Sequence, residues 1–122
     1  MALEKGGGML RVGYCEVNDL QLSPSSKTAV SQVHDIINRG GMLGFAIAST
    51  PLYQIFFSPS VTGKPVETMI TIREYDWEIF GEAMSSVSKI SKDRVLQIAE
   101  PLTWTTSGSE QKFWRCISEA AL

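Results

Sequence analysis

The amino-acid sequence predicts an α+β fold: a single, mainly antiparallel sheet of five to six strands carrying two to three packed helices. Three observations lead there. Short stretches rich in apolar, β-branched and aromatic residues lie between clusters of turn formers. Two longer stretches instead repeat apolar residues at helical spacing. No internal repeat or low-complexity run interrupts them.

Residues 1–8, MALEKGGG, end in three consecutive glycines, whose backbone entropy favours no regular state. They read as a flexible N-terminal tail ahead of one domain over 9–122. Met9 to Val17 predicts a strand, with Leu10, Val12 and Tyr14 on one face and Arg11, Gly13, Cys15 and Val17 on the other. The run SPSS at 23–26 breaks it, and Ser25 or Ser26 caps a helix whose apolar face is Ala29, Val30, Val33, Ile36 and Ile37. Arg39 suits the negative C-terminal end of that helix, and Gly40 supplies the left-handed residue that stops it.

Met42 to Ser49 predicts a strand buried on both faces. Thr50 and Pro51 turn the chain into LYQIFFS, a strand of aromatic and β-branched residues. After the loop SPSVTGKP, Val66 to Tyr75 reads as a half-buried strand with Val66, Thr68, Ile70 and Ile72 on one face. The period then changes. Trp77, Phe80, Met84 and Val87 fall three, four and three apart, the stripe of a helix packed on the core, with Asp76 and Glu78 near its positive N-terminal end. The segment 92–100, KDRVLQIAE, fits a short helix capped by Ser91 and stopped by Pro101, and equally fits a strand. LTWTT, SGSE and QKFWRCI predict a β-hairpin with Gly108 in its loop and Trp104 facing Phe113 or Trp114.

Composition narrows the chemistry. In 122 residues, 43% are apolar and 20% charged, which suits one globular domain. The formal net charge is −2 and the cations are scattered, whereas a phosphate backbone is bound by a basic stripe, so direct sequence-specific nucleic-acid binding is not expected. The longest apolar run, MLGFAIASTPLYQIFF, is interrupted by Pro51 and Gln54 and is shorter than the roughly 20 residues that span a bilayer. No transmembrane segment is predicted, and with no leader pattern at the N-terminus an intracellular location is expected. Cys15 and Cys116 then read as reduced thiols packed in strands.

One histidine and two widely spaced cysteines do not make a metal site, and GKP lacks the hydroxyl residue of a phosphate loop, so neither metal nor cofactor is expected. His34 sits at the margin of the apolar face of its helix, with Asp35 and Asn38 directed away from it. That geometry predicts a packed or solvated side chain, and no catalytic residue is assigned. The acidic residues Glu67, Glu74, Asp76, Glu78 and Glu82 carry no signature of a paired-carboxylate enzyme.

In order of features the chain resembles the matrix proteins of rhabdoviruses. The similarity runs through TAVSQVHD, the glycine-rich turn into GMLGFAIA, PLYQIFF, ETMITI leading into YDWEIFGEAM, and SKDRVLQIAEPLTWTTSGSEQKFWRCI. The chain departs from that family in its short N-terminal arm and in lacking a Pro-Pro-x-Tyr motif. The resemblance implies a non-enzymatic, self-associating protein of virion assembly that bridges nucleocapsid to membrane surface, in the host cytoplasm or the virion. From the residues alone, Leu52, Tyr53, Gln54, Ile55, Phe56 and Phe57 form an uncharged strand of high β propensity, which is the candidate self-association element if it lies at a sheet edge. Protein partners, the chain itself first among them, follow from both readings. The alternative is a small intracellular inhibitor or immunity-type protein that blocks one partner.

Overall fold

The computed structural model describes residues 15–38, 47–48, 50–57 and 70–122. Within them the chain forms strand β1 (Val17–Leu20), helix α1 (Pro24–Asn38), helix α2 (Pro51–Phe57), strand β2 (Ile70–Ile72), and helices α3 (Glu74–Met84), α4 (Lys89–Thr105) and α5 (Gly108–Ala120). The predicted five- to six-stranded sheet is therefore corrected: the described residues are mostly helical, with a two-stranded antiparallel sheet. The tail at 1–8, most of the strand at 9–17, the helix stop at 39–40, most of the strand at 42–49, the loop at 58–65 and the start of the strand at 66–75 lie outside the described residues.

The expected apolar face of α1 forms, with Ala29, Val30, Val33 and Ile37 buried and Ile36 packed against the same core. Its start lies earlier than Ser25 or Ser26. Ser23 Oγ accepts from Ser26 N at 3.4 Å, and Pro24 takes the first helical position, where a missing N–H leaves nothing unpaired. The stripe on α3 also forms. Trp77, Phe80 and Met84 are fully buried and Val87 packs beside them, while Asp76 accepts from the Arg73 N–H at 2.9 Å at the helix start.

LYQIFFS is not a strand. Pro51 starts a helix there, and Leu52, Ile55 and Phe56, at helical i, i+3, i+4 spacing, all enter the core. β propensity measures how a side chain fits a pleated, half-buried surface, and tertiary burial overrides it. The predicted hairpin at 102–117 is likewise replaced by two helices. Thr103 and Thr105 turn their hydroxyls back onto the carbonyls of Glu100 (2.6 Å) and Pro101 (3.3 Å), which lets threonine sit within a helix. Pro101 does not stop α4, because its ring faces solvent and the hydrogen bond it removes lies on the wet side. Trp104 points to solvent instead of meeting Phe113 or Trp114.

In the sheet, Val17 pairs with Ile72 and Leu20 with Ile70, so three steps along β1 match two along β2. One extra residue is accommodated, and Asp19, at φ 56°, takes the left-handed conformation there. Simple alternation would put Val17 and Leu20 on opposite faces; the bulge turns both inward, and both are buried.

The elements close around an aromatic cluster. Phe56 of α2 lies 6.0 Å from Phe80 and 6.1 Å from Phe113, while Trp77 meets Phe80 edge-on at 5.7 Å. α4 packs on both α1 and α5, and α5 also packs against β1 and α3.

Candidate functional site

The residues nominated for self-association do not form a sheet edge. Leu52, Ile55 and Phe56 are interior and Tyr53 is half-buried. These side chains are already committed to the fold of their own chain, so the unpaired backbone edge on which the nomination rested is not there.

His34 is partly exposed on α1, and its Nδ1 lies 3.3 Å from Asp35 Oδ1. The two side chains thus meet where the helical wheel had them diverge. Cys15 and Cys116, expected to be reduced, are bonded to each other, with Cα atoms 5.9 Å apart and 101 residues of separation. α5 carries Cys116 against the start of β1, a juxtaposition that no spacing in the sequence encodes. Neither sulfur is left as a thiolate nucleophile.

The main buried polar arrangement joins the starts of α1 and α5. Glu110 Oε2 accepts from Ser23 N at 2.9 Å and from Ser23 Oγ at 2.7 Å, and it also accepts from Ser26 Oγ. Ser26 Oγ in turn accepts from the Trp114 indole Nε1 at 2.8 Å. Burial pushes the Glu110 carboxyl toward the neutral form, but the hydrogen bonds from the Ser23 side chain, the Ser26 side chain and the Ser23 backbone outweigh it. Its pKa is therefore held below the usual carboxylate value.

Ser26 is fully buried, and its hydroxyl both donates and accepts within the protein. A nucleophilic serine needs a face open to substrate, which Ser26 lacks. The cluster works as a staple between two helix ends. The pattern Ser-x-x-Glu at Ser107 to Glu110 is a helix-start signature that could have located α5. The glutamate, however, spends its oxygen on α1 rather than on its own cap.

The staple makes stability depend on pH in a definite direction. A carboxyl whose folded pKa is depressed contributes stability that is complete above its unfolded value, about 4.3 for glutamate, and is lost as pH falls through the folded value. Glu110→Gln is expected to cost about 1.5–3 kcal/mol near neutral pH, the usual range for hydrogen bonds to a charged group. Urea midpoints measured stepwise below about pH 5 should show the gap between wild type and variant closing as acid protonates Glu110. A gap that is unchanged by acid would show that the carboxylate charge is not what holds the staple.

The outer face of α4 is a different kind of surface. Trp104 is 76% exposed and Ile90 is 73% exposed. Together with exposed Gln97 they are spaced by seven residues, so they line up along one side of the helix, opposite the buried Val95, Ala99 and Leu102. Asp93 and Arg94, both exposed, flank that row on its two sides, and Lys89 Nζ reaches Asp93 Oδ1 at 3.7 Å. Sequence reading missed this surface because it placed Trp104 inside a hairpin.

No helix among the described residues is long and apolar enough to cross a membrane. Compared with family models, curated proteins and solved structures, the chain matches none, and its own geometry carries the functional argument.

Proposed function

We propose that this chain is a non-enzymatic binding protein acting through protein–protein contacts, and that a second copy of itself docks on the outer face of α4. The observation that carries the reading is Trp104, a large aromatic side chain held on a rigid helix and 76% exposed. Tryptophan and arginine are the residues that most often dominate binding energy at interfaces, and here Trp104 and Arg94 share one face.

Self-pairing is favoured by the layout of that face. A two-fold axis parallel to α4 sets Ile90, Gln97 and Trp104 against their own counterparts, as symmetric contacts require. The same operation exchanges the two flanks of the row, so Asp93 of each copy meets Arg94 of the other. Opposite charges then face each other twice, which sets register and orientation.

Trp104→Glu removes the aromatic side chain of this face from a solvated position, so folding stability is expected to stay within about 0.5 kcal/mol of wild type. Sedimentation velocity over a concentration series should show a reversible dimer for wild type. The variant should associate at least about thirtyfold more weakly, as for loss of a residue worth about 2 kcal/mol or more. Equal assembly of the two proteins would remove α4 as the contact. A wild type that stays monomeric at every concentration, and forms a tight one-to-one complex with a different protein, would replace this reading with the inhibitor or immunity-type protein.

A further inference from the structure

The two cysteines carry an inference independent of the α4 surface. We infer that the Cys15–Cys116 bond is installed by a disulfide-donating oxidant while the chain is still open, and that the protein works in an oxidising compartment.

Both cysteines are fully buried in the finished fold. Cys116 lies in α5 within the buried set Phe113, Trp114, Ile117 and Ala120, and Cys15 lies two residues before Val17, the first residue of β1, whose Val17 and Leu20 are buried in the same core. Thiol–disulfide exchange requires a thiolate to approach a disulfide sulfur directly, so an external disulfide has no approach to either atom once the core has closed. Oxidation therefore precedes closure. One cysteine thiolate attacks the donor disulfide, forming a mixed disulfide and expelling one donor sulfur as a thiolate. The second cysteine thiolate then attacks the protein sulfur of that mixed disulfide and expels the other donor sulfur. The two cysteine thiols have given up two electrons and two protons, and the donor leaves as a dithiol.

The same burial that blocks late oxidation also blocks reduction. A small thiol reaches the bond only after the helices that form the core come apart, so the finished bond is a permanent brace rather than a switch that cycles with the redox state. A compartment that keeps thiols reduced would leave both cysteines as neighbouring thiols when the core closed over them. The working protein therefore belongs where disulfides form, not in a compartment that keeps thiols reduced.

The test uses the protein taken from its native source, denatured directly into excess N-ethylmaleimide, followed by intact-mass measurement. The expected result is no adduct without prior reduction and two adducts after it. Two adducts without reduction would overturn the inference. In a second arm, the purified folded protein is held in a glutathione buffer with the reduced form in the large excess typical of cytosol. The bond is expected to survive there and to be reduced only when denaturant is added. Reduction while the far-ultraviolet spectrum remains native would show an exchangeable bond and would overturn the inference as well.

Discussion

Replacing Cys15 and Cys116 together by alanine is expected to lower the stability of this protein by about 4–5 kcal/mol, the chain-entropy value for a loop of about 100 residues. The bond joins residues separated by 101 positions, so it constrains nearly the whole open chain. A domain of this size has only about 5–15 kcal/mol of total stability, so the variant loses a large share of it and should unfold at clearly lower denaturant. Denaturant titration of wild type and the double variant measures the loss. The slope should also rise, because the uncrosslinked chain exposes more surface on unfolding. Two further contacts hold this end of the molecule: Ser109 Oγ donates to the Asn18 carbonyl at 2.7 Å, and β1 pairs with β2. A loss below about 1 kcal/mol would mean that those contacts already restrict the open chain as the bond does.

Phe80→Ala is expected to cost about 3–5 kcal/mol, the range for deleting a large aromatic side chain from a core. Phe80 is fully buried and packs between Phe56 and Trp77, with ring centroids 6.0 and 5.7 Å away. Those neighbours come from α2 and from α3 itself, so the void opens where two helices meet. Rigid rings collapse poorly into such a space, which puts the expected cost toward the upper part of the range. Phe80→Leu keeps much of the volume and should cost clearly less. Thermal and urea unfolding of both variants check this, and a Phe80→Ala protein of wild-type stability would refute the core assignment of the 77–87 stripe.

How far the sequence could be read is clearest at particular residues. The faces of α1 and α3 were legible because Ala29, Val30, Val33 and Ile37, and then Trp77, Phe80 and Met84, follow the helical period within one local stretch. The inward half of β2 was legible for the same kind of reason, with Ile72 buried and Thr71 exposed. The segments 52–57 and 102–117 were not. Each is short or rich in threonine and aromatic residues, and such runs satisfy strand and helix patterns at once until burial decides between them. Even there a helical spacing was present, with Phe113, Cys116, Ile117 and Ala120 at i, i+3, i+4 and i+7.

By itself, then, the sequence determined where locally periodic apolar faces lie, since periodicity is a property of neighbouring residues. The tertiary structure decided the rest: that Cys15 meets Cys116, that Ser23 and Ser26 share the carboxylate of Glu110, and that Trp114 is buried while Trp104 faces water. The physical reason is distance along the chain. The two ends of the bond are 101 residues apart, and the serines lie 84 to 87 residues from Glu110. Contacts of that range leave no spacing in the sequence, because they follow from how whole helices pack once their apolar faces are buried.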